Sequence, residues 1–458
     1  MSKSTDHLLE NIRMGCELTK GDRLSLIVGL SIPSILAQIT TVMMFFIDTS
    51  MVGHLGAEAS ASIGLVESTT WLMGSVMSAV SMGFSVQVAH FIGSNDFVKA
   101  RQVFRHAVIC GIVFSMFMSI IGIGIHNQLP IWLGGGDDIV SNASSYFLVY
   151  SLTLPIILLW HLSSATLKSA GSMKAPSIVS VVLCVLDVAF NYIFIYVLGL
   201  GVIGAAIGTS CAYLVTVIPM VWLVTVKNKI MALRLDHVKF HWISSYVRNA
   251  VKISGPIAIQ SILMSGAQVV STLIVAPLGN IAIAANSFAV TAESLCYMPG
   301  YGIGDAATTL VGQTIGAKRM ELCRSFARMA VGLGMGVMAF MGFIMYIFAP
   351  EMIGILSPVE EIRSLGTQIL RIEAFAEPFF AASIVSYSVF VGAGDTFKPA
   401  KMNLCSMWLV RLTLAWWLSS SFGLVGVWIA MAVELVFRGC LFLFRLFFGD
   451  WVKQIKLS

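Results

Sequence analysis

Long apolar runs dominate this chain and constrain its fold more than any other feature. Hydropathy and the breaker residues glycine and proline divide them into twelve stretches of about 20 residues or more, the length that a helix needs to cross a ~30 Å hydrocarbon core. Charged residues make up only 11% of the 458 residues, against about 25% in soluble domains. The sequence therefore predicts an all-α membrane protein. Its predicted spans are 25–50, 60–92, 104–126, 142–166, 176–197, 201–226, 250–275, 281–314, 327–349, 364–390, 400–420 and 424–446.

Lysine and arginine residues gather in every second loop between these spans. Acidic residues occupy the other loops, where Arg363 is the one basic residue. Because basic loops stay in the cytoplasm, we expect both termini to be cytoplasmic and the chain to be a multi-pass protein of the plasma (inner) membrane. The net charge of +5 then reflects topology, and no nucleic-acid partner is predicted.

An internal repeat divides the chain into two halves. Adding 223 to a position in the first half leads to the same residue in the second for a series of kink and turn residues. The series includes Pro33 and Pro256, Gly56 and Gly279, Gly93 and Gly316, Pro155 and Pro378, and Gly171 and Gly394. Such a repeat predicts two parallel-repeat six-helix bundles around a central cavity. The predicted parts are an N-terminal cytoplasmic segment (1–24), a first bundle (25–226), a basic linker (227–249), a second bundle (250–447) and a tail (448–458).

Two aspartates in the first half are the leading functional candidates. A charge at the centre of a transmembrane helix costs at least about 2.5–3.5 kcal/mol, so such residues usually face a polar cavity. Asp48 stands near the end of the first span, where a place at the outer interface is the alternative. Asp187 lies one helical turn before Asn191 on the same face, an arrangement suited to a proton or a cation; a structural pair with Arg411 or with a neighbouring helix is the alternative.

The other charged residues within the predicted spans either line the cavity or form structural pairs, and the sequence is compatible with both roles. Glu434 and Arg438 are four residues apart on one helix, the spacing of an intrahelical ion pair. The other candidates for the cavity or for substrate contact are Glu67, Glu293, Glu373, Glu377 and Arg411.

No motif for enzymatic chemistry is found along the chain. A P-loop, HExxH, GxSxG and Cys/His clusters are missing, and the eight cysteines stand singly, as buried free thiols do. The sequence thus predicts that the protein is not an enzyme and holds no cofactor.

Several stretches across both halves resemble the multidrug and toxic compound extrusion (MATE) transporters. They are IDTSMVGHLG, DVAFNYIFIY, LVGQTIGAKR, FVGAGDTFKPA and GLVGVWIAMAVE. The resemblance implies a secondary active exporter of amphipathic, often cationic drugs that works by antiport with H⁺ or Na⁺. We further expect a monomer whose partners are small organic molecules and the lipid bilayer.

Within that family, the chain resembles the group of the DNA-damage-inducible protein F. That group carries an aspartate in the first helix and a proline fifteen residues earlier whose helix bends on protonation; Asp48 and Pro33 match both. In the fifth helix the family often has Asn before Asp, whereas this chain has Asp187 before Asn191. The implied coupling residues are Asp48, Asp187, Asn191, Thr209 and the Ala205 carbonyl, and Na⁺ would bind at Asp48, Asp187, Asn191 and Thr209.

Two alternatives remain, one within the transporters and one in another functional class. A flippase for lipid-linked oligosaccharides shares the superfamily architecture, but its anionic substrate needs a cationic cavity, whereas the predicted cavity is acidic. An intramembrane enzyme or a receptor is the second alternative, and it would show paired catalytic residues or lack the repeat.

Overall fold

The computed structural model describes residues 4–235 and 238–452, which contain helices and no strand. Ten helices in this part of the chain are long and apolar enough to cross a membrane, and the pair Glu360–Ala374 and Glu377–Gly392, bent by 57°, forms one more span. The last of the ten, Phe397–Phe448, has 52 residues and would be about 78 Å long if straight. It is broken at Gly423, whose φ of 58° is not helical. Division there gives the twelve predicted spans.

Each predicted span lies on a helix or, for 364–390, on the bent helix pair, and its predicted ends fall within about seven residues of the observed ones. The helices are α1 (Thr5–Arg13), α2 (Lys20–Gly53), α3 (Ala57–Gly93), α4 (Phe97–Ile125), α5 (Leu129–Trp132), α6 (Asp137–Ser169), α7 (Lys174–Tyr192), α8 (Gly201–Trp222), α9 (Ser244–Val275), α10 (Asn280–Gly316), α11 (Met320–Leu356), α12 (Glu360–Ala374), α13 (Glu377–Gly392), α14 (Phe397–Cys405) and α15 (Leu412–Phe448). Short π-helical segments extend α7 and α8 and join α14 to α15; they are Ile193–Val197, Leu223–Lys227 and Ser406–Arg411.

Two compact units make up the chain. The first, called the N unit, is Thr40–Ala258; the second, the C unit, combines residues up to Ile39 with those from Ile259 onward. The units thus divide within α2 and α9, whereas the predicted bundles 25–226 and 250–447 divide in the linker. Parts of the predicted terminal segment, linker and tail, namely residues 1–3, 236–237 and 453–458, lie outside the described residues.

Each unit has its own apolar core. In the N unit, α6 packs against α3, α4 and α8, and the buried side chains include Phe104 and Met220. In the C unit, α10 packs against α11 and α13, and Trp428 and Ile353 are among the buried residues. Burial of large apolar side chains in this way is worth about 1.5–3 kcal/mol each when the alternative is water.

Helix α1 was not predicted, because its segment is polar on average. Its apolar residues Leu8, Leu9 and Ile12 nevertheless share one face and are buried, and α1 contacts α10. Three apolar residues at helical spacing are therefore enough to dock this short helix on the C unit.

The repeat is visible in the backbone as well as in the sequence. α3 and α10 each have 37 residues, and both ends of α10 lie 223 positions after those of α3. Left-handed backbone conformations recur at the same offset. The pairs are Gly56 and Gly279 (φ 112° and 96°), Asn95 and Lys318 (60° and 59°), and Gly171 and Gly394 (82° and 78°). Two non-glycine residues with positive φ at matching positions show that the turn geometry itself is repeated.

Candidate functional site

An asparagine in the N unit joins the two aspartates predicted as coupling residues. Asn191 Nδ2 donates a hydrogen bond of 2.9 Å to Asp48 Oδ1 and one of 3.2 Å to Asp187 Oδ2. Asp187 and Asn191 are almost completely buried, at 0% and 1% exposure, while Asp48 is half-buried. The structure thus brings together residues that are 143 positions apart in the chain, in an arrangement that the sequence analysis predicted as a cluster.

Local features of α7 and α8 hold this cluster in place. Asp187 and Asn191 are one turn apart on α7, and the π-helical segment that follows begins at Ile193; such segments are frequent at functional sites. Gly208 on α8 touches Asn191 so closely that a Cβ would overlap Asn191 Oδ1 and lie 2.9 Å from its backbone nitrogen. The glycine therefore lets the two helices approach at the cluster.

Two buried oxygen atoms of the cluster lack a hydrogen-bond donor. Asp187 Oδ1 and Asn191 Oδ1 receive no hydrogen bond from any residue that the structure describes. A buried acceptor without a donor costs about 1–3 kcal/mol. In addition, the two carboxyl groups interact directly, and like charges that share one site repel each other. A proton or a small hard cation bound at this cluster would relieve both costs.

A cavity of about 420 Å³ in the N unit opens next to the cluster. Asp48 and Asn191 form part of its wall, as do Thr209 and Ala205 from α8 and the second acid, Glu67. Asp187 is not among the described residues of this wall, and it interacts with Thr209. Among its described lining residues there is no lysine or arginine, so the cavity wall is acidic.

Aromatic side chains complete the cavity, and the sequence analysis did not identify them individually. They are Phe45, Trp71, Tyr146, Tyr150 and Tyr213. Tyr150 is fixed by a 2.8 Å hydrogen bond from its hydroxyl to the Thr70 carbonyl. Aromatic faces attract organic cations, and their positions along α2, α3, α6 and α8 could not be derived from spacing on any single helix.

The proline of the first span stands next to a polar contact within the C unit. Pro33 lies inside α2, and the next residue, Ser34, donates a 2.7 Å hydrogen bond to Asp305 on α10. Gln38 donates to the same carboxylate over 3.3 Å. Asp305 falls inside the predicted eighth span but was not among the predicted intramembrane charges, so this contact was missed.

The second-half candidates form a buried cluster in the C unit. Glu293 is 5% exposed and Glu373 and Glu377 are 0% exposed. The carboxylate oxygens of Glu373 and Glu377 receive no hydrogen bond from the described residues, and Arg411 interacts electrostatically with Glu434, Glu293 and Glu373.

The predicted ion pair on the last span is confirmed. Arg438 Nε lies 3.0 Å from Glu434 Oε1, with both side chains buried, and Ser406 also donates to Glu434. This carboxylate therefore has hydrogen-bond donors, which Glu373 and Glu377 lack among the residues that the structure describes.

The MatE family model matches this chain twice, at residues 33–193 and 256–417, which together make up more than half of it. The chain belongs to the MatE family. The two matches begin 223 positions apart and so coincide with the internal repeat. This family assignment confirms the resemblance seen in the sequence motifs.

Relatives and solved structures agree with membership of the MatE family. A probable multidrug resistance protein NorM of Thermotoga maritima is 25% identical over 441 residues, which cover 94% of each chain. Solved structures described as MATE in the straight and in the bent conformation match with TM-scores of 0.88 and 0.86, each at 21% identity. The straight one covers 97% of this chain and 98% of its own, and the bent one 97% of both. These matches confirm the predicted fold.

Proposed function

We propose that the protein is a secondary active multidrug exporter of the inner membrane, coupled to H⁺ or Na⁺ through Asp48, Asp187 and Asn191. The observation that carries this proposal is the bridge of Asn191 between two carboxylates at the wall of an acidic, aromatic cavity. Relatives of similar length bear the name of a multidrug resistance protein, which supports export of drugs.

The coupling ion and the drug would compete for the same negative charge. With the site empty of cations, Asp48 at the cavity wall attracts a cationic, amphipathic drug, and the aromatic side chains add cation–π attraction of about 0.5–2 kcal/mol. When a proton or Na⁺ enters from outside, it neutralises Asp48 and supplies the missing partner of Asp187 Oδ1 or Asn191 Oδ1. The drug then loses its counter-charge and leaves, which gives antiport.

Helix α2 is a suitable element to transmit this change. It carries both Asp48 and Pro33, and a proline inside a helix removes one backbone hydrogen bond and so weakens the helix locally. We propose that neutralisation of Asp48 alters the bend of α2 at Pro33. Solved structures described as MATE in the straight and in the bent conformation support the proposal that this chain also has two conformations.

Dye efflux from proteoliposomes tests the proposal. The full-length protein is reconstituted, and efflux of an ethidium-type dye is measured with a pH gradient in Na⁺-free buffer, then with a Na⁺ gradient at equal pH. Activity in one condition identifies the coupling ion. Asp48→Asn keeps the size of the side chain but cannot be neutralised by a cation, so we expect gradient-driven efflux to fall at least tenfold.

Glu67→Gln is the matched control, because it removes another acid of the same cavity that lies outside the Asn191 bridge. This variant should keep its dependence on the gradient and change only the dye concentration needed for half-maximal efflux. Wild-type efflux by Asp48→Asn, at normal protein levels in the membrane, would contradict coupling through Asp48. A flippase for anionic lipids is disfavoured because the cavity wall offers no lysine or arginine among its described residues.

A further inference from the structure

A groove in the C unit contains two arginines that the proposed transport mechanism does not use. It lies between the end of α11 and the start of α12 and has a volume of about 830 Å³. Arg363 and Arg371 of α12 line it, together with Tyr346 and Pro350 of α11. We call this feature the arginine groove. Glu360 is the single carboxylate among its described lining residues, so the groove carries a net positive charge.

The backbone of α11 holds both guanidinium groups in place. Pro350 has no N–H, so the carbonyl of Tyr346, four residues earlier, loses its helical donor; Arg371 Nε donates to it over 3.2 Å. Arg363 Nε donates to the Pro350 carbonyl over 3.1 Å. Gly354 leaves room for this contact, since a Cβ there would lie 3.2 Å from Arg363 Nε.

These contacts use one nitrogen of each guanidinium group. Within residues 4–235 and 238–452, neither arginine has a carboxylate partner or a hydrogen bond from its two terminal nitrogens. The Arg371 group also lies over the Tyr346 ring at 5.3 Å. Each arginine therefore presents a fixed pair of N–H donors without an acceptor, the geometry that binds phosphate in a bidentate way.

Helix α12 has a polar stripe on the side of the groove. Ser364, Thr367, Gln368 and Arg371 follow one another at spacings of three, one and three residues and all line the groove, while the opposite face, including Ile369, is buried. Polar groups on the outside of a membrane helix need partners that hydrocarbon cannot supply. The neighbouring Phe375, also at the groove, is 73% exposed and offers an apolar surface next to the polar one.

The repeat supplies an internal comparison. At positions 223 lower, a groove of about 400 Å³ lies between α4 and α6 of the N unit. It has serines at three of the polar positions, Ser141, Ser144 and Ser145, but Val140 and Leu148 stand where the C unit has its two arginines. The repeated scaffold therefore does not require the arginines. Arg363 is also the one basic residue in the loops predicted to be outside, contrary to the usual charge bias.

We propose that the arginine groove binds the phosphate headgroup of an anionic phospholipid, such as phosphatidylglycerol, from the membrane leaflet at that side. One guanidinium group contacts the phosphate and the other the headgroup hydroxyls, the hydroxyl and amide side chains of the stripe contact the rest of the polar headgroup, and Phe375 contacts the acyl chains. Arg363 and Arg371 are eight residues apart, about 12 Å along the helix, so the two guanidinium groups hold opposite ends of one headgroup. Free inorganic phosphate shares this chemistry, and the test separates the two.

Lipid binding to the full-length protein in detergent is measured by native mass spectrometry with phosphatidylglycerol, phosphatidylcholine and inorganic phosphate. The wild type should retain phosphatidylglycerol preferentially. The double variant Arg363→Gln, Arg371→Gln should bind it about 30-fold more weakly, which is ~2 kcal/mol at 1.4 kcal/mol per tenfold, since a basic residue near anionic lipid contributes about 1 kcal/mol. The control Lys398→Gln, Lys401→Gln removes two exposed charges elsewhere in the C unit and should bind like the wild type.

A gain-of-function variant keeps the test independent of any folding defect. Val140→Arg with Leu148→Arg places arginines in the N-unit groove and should add a second bound phosphatidylglycerol. Equal binding by the wild type and the double glutamine variant would overturn the proposal. Displacement of phosphatidylglycerol by millimolar inorganic phosphate would overturn the assignment to lipid and indicate a free-phosphate site instead.

Discussion

Gly208→Ala tests whether the geometry of the Asn191 bridge is needed for transport. The substitution adds one methyl group on α8 at a point where it would overlap Asn191 Oδ1 and lie 3.0 Å from the Asn191 Cα. Neither backbone can move freely, because α7 and α8 pack along each other. We therefore expect Asn191 to shift and its hydrogen bonds to Asp48 and Asp187 to lengthen.

Two magnitudes follow from this geometry. Overpacking of a well-packed interior costs about 1–3 kcal/mol, so the apparent melting temperature of the purified protein should fall by several degrees. A hydrogen bond to a charged group contributes about 1.5–3 kcal/mol, so loss of the bond to Asp48 should weaken ion-coupled efflux roughly 10- to 100-fold. Both effects are measured on one preparation, by thermal melting in detergent and by gradient-driven dye efflux.

Gly64→Ala is the matched control. Gly64 lines the same cavity, but nothing lies within 4 Å of a Cβ built there, so this variant should melt and transport like the wild type. If Gly208→Ala also behaved like the wild type in both assays, the close contact between α8 and Asn191 would be irrelevant to coupling, and a requirement for the exact geometry of the bridge would be refuted.

Three further predictions concern stability and helix α2. Arg438→Met removes the ion-pair partner of the buried Glu434, which keeps only the charge interaction with Arg411, and should destabilise the protein by up to about 3–5 kcal/mol; the double variant that also carries Glu434→Met should recover most of this in thermal melting, and no recovery would contradict an ion-pair role. Lys318→Gly places glycine at a left-handed position and should raise the free energy of unfolding by up to about 1 kcal/mol. Thermal melting measures this as a higher melting temperature, and a lower one would contradict the prediction. Asp305→Ala removes the acceptor of Ser34 and should slow dye efflux while preserving the choice of coupling ion, which the two-gradient assay detects; an altered ion preference would count against a positioning role.

The sequence predicted the spans and the shared face of Asp187 and Asn191 because these depend on local properties, whereas the grouping of Asp48 with them was implied by the resemblance to the MATE family. Apolar length fixes a transmembrane helix, and a spacing of four places two residues on one face of a helix. The order Asp187 then Asn191, reversed relative to the usual family pattern, still allows one amide to bridge two acids.

Other features depend on which helices pack together, and no spacing within one helix reveals this. The contact of Asp305 with Ser34 joins residues 271 positions apart. The cavity tyrosines Tyr146 and Tyr213 come from different helices, and their shared surface exists only after folding. The division of the units within α2 was also hidden, because a continuous apolar helix gives no sign in the sequence that its two ends pack in different surroundings.

The repeated turns have a practical consequence for engineering. Asn95 and Lys318 have the same left-handed conformation and follow helices of equal length, so the turn of one half can be grafted onto the other without insertion or deletion. Hybrid chains in which such turns are exchanged between the two halves would keep the backbone conformation and change only the side chains. Each half would then serve as the reference for measuring how the side chains of the other half change its function.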